Sequence, residues 1–326
     1  TIPVTLNVGD GPRQSDQRIG LRRGWNMVSA HLEPEDPDVI VITSVLVENE
    51  TFQMMKNGSG QFYNPQFNFN NIPGWNVAEG YWVKMSDADE LVMSGMTVDW
   101  DLPIPLLQGW QMISYYPAQP VDATIALSGL VELLLIAKDE QGRFYSPPFG
   151  FSNMGEMEPG KGYQLKLSED AELVYRLREE EELAGLSDNS NPVHFQTPSI
   201  TSRNMSLLVY TDTQARGEIG AFCGDQLVGF GLIQSGQCGV SVWGDDRSTN
   251  NPDGLLENQS YRLVLWDAEN EKTVEIQDLE IILGDGLVYH TDEFTVVKIN
   301  NLADVPNEFY LSNAYPNPFN MTTVIP

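Results

Sequence analysis

Apolar and polar residues alternate along much of this chain. Trp25-x-Met27-x-Ser29 and Trp110-x-Met112-x-Ser114 carry bulky residues at every second position, as do Tyr81-x-Val83-x-Met85 and Tyr163-x-Leu165-x-Leu167. That is the period of a strand with one buried face. The same segments reveal a duplication. Gly24-Trp25-Asn26-Met27-Val28-Ser29 returns as Gly109-Trp110-Gln111-Met112-Ile113-Ser114, and the stretch 56–65 returns as 138–147. Gly80-Tyr81-Trp82-Val83-Lys84 returns, at the same spacing as the second block, as Gly162-Tyr163-Gln164-Leu165-Lys166. Three blocks in one order predict two units of one fold. The glycine-containing stretches inside 56–62 and 138–144 read as hairpin turns. Pro37-Asp38-Val39 and the stretch 120–125 read as starts of short helices. Because the shared residues are tryptophan, tyrosine, glycine and aliphatics, they are expected at core and turn positions and not in a catalytic set.

Further along, short strand-like runs at 206–210, 219–223, 227–230, 239–243, 261–266 and 295–299 are separated by turn signals such as Pro252-Asp253-Gly254 and Gly284-Asp285-Gly286. That spacing predicts a β-sandwich. The expected architecture is therefore mainly β. Two tandem small β domains, 1–100 and 101–178, each with a short helix, are followed by an acidic, polar linker at 179–192, a β-sandwich at 193–300 and a strand-forming tail at 301–326.

Charge narrows the partners. Eighteen Lys and Arg against 46 Asp and Glu give a net charge of -28, which repels nucleic acid and anionic lipid. It is compatible with cations or neutral ligands such as glycans, and equally with an acidic surface that only keeps the protein soluble. No apolar run reaches the roughly eighteen residues of a membrane span. Cys223 and Cys238, close in sequence and in one β region, suggest a single disulfide in an oxidising compartment, the alternative being two buried thiols.

Two segments resemble known families. Gly217-Glu218-Ile219-Gly220-Ala221-Phe222-Cys223, Val242-Trp243-Gly244-Asp245-Asp246 and Tyr261-Arg262-Leu263-Val264-Leu265-Trp266-Asp267 resemble a β-sandwich module of secreted bacterial multidomain proteins, which the Trp-x-Met-x-Ser units often accompany. The tail Leu311-Ser312-Asn313-Ala314-Tyr315-Pro316-Asn317-Pro318-Phe319-Asn320 resembles the opening of the C-terminal sorting domain of type IX secretion substrates, and breaks off at Pro326 after what would be its first strand. The resemblance implies export and an extracellular or cell-surface location.

The three histidines, His31, His194 and His290, are scattered along the chain, and no His-Glu-x-x-His, Gly-x-Ser-x-Gly or phosphate-loop motif occurs. No catalytic residue is nominated. Asp245, Asp246 and Asp253 concentrate oxygen donors of the kind calcium takes, though ordinary turn chemistry explains them as well. No other cofactor is expected. Tyr63, Phe67 and Trp75 lie in an aromatic and amide-rich stretch able to stack sugars, or equally to form a half-buried strand. Thr322, Val324 and Ile325 in the tail, with Val4 and Leu6 near Thr1, form β-prone runs expected to pair with a sheet edge, including that of another copy. The reading is a non-catalytic structural or adhesion protein that self-associates into a filament or other surface assembly. Its rival is the glycan-binding accessory region of a larger secreted enzyme.

Overall fold

The computed structural model describes residues 12–177, 194–196, 198–212, 215–250 and 252–300, and these are mainly β. The linker expected at 179–192 and the tail expected at 301–326 lie outside the described residues. The first unit contains β1 (Gln14–Leu21), β2 (Gly24–Val28), β3 (Leu32–Pro34), α1 (Val39–Ile42), α2 (Ser44–Glu48), β4 (Phe52–Asn57), β5 (Phe62–Asn64), β6 (Phe69–Asn70), β7 (Tyr81–Met85) and β8 (Asp89–Thr97). The second contains β9 (Ile104–Leu106), β10 (Gly109–Ile113), β11 (Val121–Asp122), α3 (Ala123–Ala126), β12 (Leu134–Lys138), β13 (Phe144–Ser146), β14 (Phe151–Ser152), β15 (Glu156–Met157), β16 (Tyr163–Leu167) and β17 (Ala171–Leu173). Their main sheets run β2-β7-β4-β5-β6 and β10-β16-β12-β13-β14, the same strand order twice.

Local chemistry explains why these segments fold alike. At the hairpin after β4 the Asn57 side chain accepts from the amides of Ser59 and Gln61. After β12, Asp139 accepts in the same way from Gln141 and Arg143. Both are Asx turns, and each is closed by a glycine at positive φ, Gly60 and Gly142. The next turn, Pro65–Phe67 or Pro147–Phe149, ends on a left-handed residue, Asn68 or Gly150, two residue types that tolerate it. Asp38 and Asp122 cap α1 and α3 through the amides of Ile40 and Thr124.

Each sheet has two working faces. In the first unit Val28, Met55, Tyr81, Val83 and Met85 enter a core closed by Leu46, Trp75 and Leu91. Trp25, Met27 and Trp82 point the other way and cluster with Met112 of the second unit. The units meet reciprocally: the Gly80 amide donates to Met112 O at 3.3 Å, and the Gly162 amide donates to Met27 O at 3.0 Å. Ser29 Oγ donates to Lys161 O, and Ser114 Oγ to Ala30 O. Residues repeated in sequence thus pair across a pseudo-two-fold axis, as in an isologous dimer fused into one chain.

The third unit contains β18 (Asn204–Tyr210), β19 (Gly217–Cys223), β20 (Gln226–Gln234), β21 (Gln237–Trp243), β22 (Arg262–Asp267), β23 (Lys272–Ile276), β24 (Leu279–Leu283) and β25 (Phe294–Ile299), in the order β23-β22-β19-β20-β21-β18-β25-β24. This sheet curls on itself so that Leu207, Val209, Ile219, Ala221, Val240, Leu263 and Val297 share one core, the packing of a sandwich. The expected disulfide does not form: Cys223 and Cys238 are both free. Cys223 is opposite Gln226 and Cys238 opposite Ile233 on the intervening strand β20. At about 3.3 Å per residue those positions lie on the order of 20 Å apart, far beyond disulfide reach. Cys238 packs in the core, where burial pushes its thiol pKa up, while Cys223 is half-exposed and accepts from Gln259.

Candidate functional site

β18, β21 and β25 are buried on both faces, and their outer face carries the second unit. Lys138 and Lys166 bring their ammonium groups over the Trp110 ring, 4.5 and 5.7 Å from its centre. Lys56 and Lys84 do the same at Trp25, at 4.7 and 5.6 Å. Pairing fixes this arrangement, since Trp25 lies opposite Lys84 and Trp110 opposite Lys166. The lysines pack over the indole rings, and as donors they leave each ring N–H to find an acceptor elsewhere.

Both acceptors belong to the sandwich. Trp25 Nε1 donates to Asp246 Oδ2 at 2.6 Å, and Lys84 Nζ donates to the same oxygen at 2.8 Å and to Ser248 Oγ at 2.6 Å. Lys56 donates to Ser202 Oγ. In the second unit Trp110 Nε1 donates to Asp292 O at 3.1 Å, while Lys138, itself buried, reaches Asp292 Oδ1 at 2.6 Å and Asn204 Oδ1 at 3.0 Å. Burial of Asp246 opposes its charge, but the bonds from Lys84, Ser248 and Trp25 outweigh it and hold the carboxyl down to about 2. Burial lowers Lys56 to about 8.

Each of the three carboxylates named as calcium ligands has hydrogen-bond partners within the protein. Asp246 accepts from Trp25 and Lys84. Asp253 Oδ1 accepts from the Asp246 amide, and Asp245 Oδ1 from the Asp253 amide. These are turn and docking bonds, and among the described residues no group of three or more His, Cys, Asp or Glu could hold a metal ion. The lysines around the two tryptophans are visible in the sequence as those kept in both copies of the second and third blocks.

The proposed sugar-stacking residues are likewise dispersed. Tyr63 is buried and stacks on Phe52 at 5.5 Å, and Trp75 is buried and stacks on Tyr81 at 4.4 Å. Of the three, Phe67 alone lies on the surface, 72% exposed, beside Phe69 at 42%. Phe69 in turn packs on Phe62 at 4.7 Å. In the second unit the corresponding Phe144, Phe149 and Phe151 are covered by Leu208, Phe294 and Val296 of the sandwich. The assembly candidates Val4, Leu6, Thr322, Val324 and Ile325 lie outside the described residues.

One further apolar surface belongs to the sandwich edge. β23, at one end of the sheet order, carries Lys272 and Glu275, whereas β24, at the other end, carries one charge, Glu280, and exposes Ile281, Ile282 and Leu283 at 55%, 48% and 43%. Among the described residues no helix is long and apolar enough to cross a membrane. No protein-family model, no curated protein and no solved structure matches this chain.

Proposed function

We propose that this chain is a non-catalytic structural or adhesive protein of the bacterial cell surface that works as the subunit of an assembly. The observation that carries this reading is the exposed apolar edge of β24. Natural sheets blunt their free edges with charge, as β23 does, because an apolar edge invites association; a subunit interface is what removes such a surface from water. The polar residues with the most elaborate surroundings, Asp246, Lys84, Lys138 and Asp292, join modules to one another and so serve rigidity. The likeness of the tail to the type IX sorting sequence supports an extracellular location. The glycan-binding alternative has less support, since two of its three aromatic residues lie in a core.

The test is sedimentation velocity and light scattering of the full chain over a wide concentration range, with electron microscopy of the product. Concentration-dependent growth into regular particles is the expected result. A protein that stays monomeric throughout overturns the reading.

A further inference from the structure

The duplication supplies an internal control for what the aromatic face of these units binds. Phe62, Phe67 and Phe69 correspond in the repeat to Phe144, Phe149 and Phe151. Both triplets sit on the same hairpin and 3-10 turn, built by the same side-chain bonds: Asn71 Oδ1 accepts from the Phe62 amide at 2.7 Å, and Asn153 Oδ1 from the Phe144 amide at 2.7 Å. Their environments differ. Phe144 and Phe151 are buried, with Phe144 5.7 Å and Phe149 5.5 Å from Phe294 in edge-to-face contact. The first triplet has no such cover among the described residues, and Phe67 and Phe69 are exposed.

The cover in the second unit is the outer face of β18 and β25, and β24 continues that sheet. β24 pairs with β25 and places Leu283 opposite Val296, one of the residues the second triplet covers. The register shifts between Ile281 and Leu283, so Ile282 sits at an irregularity that breaks the hydrogen-bond ladder. A bulge of this kind bends and twists an edge strand, one of the devices by which natural sheets discourage strand addition.

We propose that the Phe62, Phe67 and Phe69 face of one copy docks on the β24 edge of a second copy, repeating between molecules the contact that the second unit makes within one. This inference rests on the assembly reading above and specifies its interface. The two surfaces differ, so the contact is heterologous: each pair of bound copies still offers one free face of each kind, and the product is a closed ring or an open filament. With a net charge of -28 the copies repel one another, and association strengthens as salt screens that repulsion.

The experiment uses three full-length proteins: the unaltered chain, a Phe67→Ser/Phe69→Ser variant and a Leu283→Ser variant, Leu283 being the β24 residue that shares a face with Val296. These exposed, charge-neutral changes leave net charge unaltered. Sedimentation is expected to show large particles for the unaltered chain and at least a tenfold rise in Kd for either variant alone. An equimolar mixture of the two variants is expected to stop at one-to-one pairs, because each contributes one intact face. Should either variant lose its native circular dichroism, disulfide cross-linking between copies carrying Phe67→Cys and copies carrying Leu283→Cys, both on a Cys223→Ser background, reads the same contact. Assembly by the unaltered chain that neither variant weakens, or absence of the cross-link, overturns this interface and leaves the assembly reading intact. A monomeric unaltered chain overturns both.

Discussion

Trp25 and Asp246, 221 residues apart, are joined by a 2.6 Å hydrogen bond from the indole N–H to a buried carboxylate that also receives Lys84. This bond ties the first unit to the sandwich. Replacing Asp246 with alanine leaves the indole N–H without its acceptor and Lys84 without its counter-charge. Removing one member of a buried ion pair costs about 3–5 kcal/mol. Because Lys84 keeps Ser248, the lower end is expected for Asp246→Ala. Asp246→Asn retains an acceptor and should lose less, about 1–2 kcal/mol. Urea unfolding followed by tryptophan fluorescence measures both; equal losses would mean that the charge contributes nothing.

The same carboxylate sets an acid limit on docking. Its folded pKa, about 2, lies below the ordinary value of 3.8. A depressed carboxylate pKa contributes stability that is fully present above the unfolded value and disappears as pH falls through the folded value. The stability difference between the wild type and Asp246→Asn should therefore be constant between about pH 5 and pH 6, below the titration of Lys56, and shrink between pH 4 and pH 2. Comparing the two proteins by thermal unfolding at each pH cancels the titration of the other carboxylates. A difference that does not change across that window would contradict the assigned hydrogen bonds.

The reciprocal seam between the repeated units depends on two glycines. A Cβ on Gly80 would lie 2.8 Å from Ile113 O, and one on Gly162 would lie 2.9 Å from Val28 O. Both are closer than real Cβ contacts, and in both cases the obstacle is backbone. Gly80→Ala and Gly162→Ala should each destabilise by about 1–3 kcal/mol, the usual range for overpacking. The pseudo-symmetry implies losses of similar size. A neutral outcome at either position, read from denaturant midpoints, would show that the seam opens without cost.

Much of this fold was legible because strands write their period directly into sequence. The duplicated strand order follows from the blocks around Trp25 and Trp110, and the mainly β class from alternation. Function was less legible, because alternation says that a residue has a buried face without saying against what. Trp25 and Met27 read as core of their own unit, yet they cover a neighbour. Asp246 read as a turn residue or a calcium ligand because its loop is acidic; the further donors it accepts from, Trp25 and Lys84, are 221 and 162 residues away, a separation no local pattern encodes. The cysteines misled for the same reason. Proximity in sequence suggested a bond, and the strand β20 inserted between them forbids it.

Thiol chemistry follows from that placement. Cys238 lies in the sandwich core with its pKa raised by burial, while Cys223 is partly accessible at the end of β19. Native protein should react with one equivalent of a thiol reagent, at Cys223, and with two after denaturation. Electrophoretic mobility should not change on reduction. Zero reactive thiols in unfolded, unreduced protein would restore the disulfide.

The sharpest stability contrast lies between Phe69 and Phe151, one position of the duplicated unit in two settings. Phe151 is 5% exposed and packs on Phe144 at 4.9 Å beneath the sandwich; a Cβ on Gly239 would come within 2.6 Å of its ring, so that glycine opens the space it fills. Phe69 occupies the same backbone geometry at 42% exposure. Truncating a buried phenylalanine loses transfer energy and leaves a cavity, together about 3–5 kcal/mol. Truncating an exposed one leaves no cavity and loses only the contact with Phe62, about 1 kcal/mol or less. Phe151→Ala should therefore shift the urea midpoint several times further than Phe69→Ala at protein concentrations low enough to keep the chain monomeric. Raising the concentration should widen the loss for Phe69→Ala alone, because the surface it alters is then drawn into contact between copies. Equal losses for the two variants at low concentration would mean that the cover over the second triplet contributes nothing to stability, and the internal control for the first triplet would fall with it.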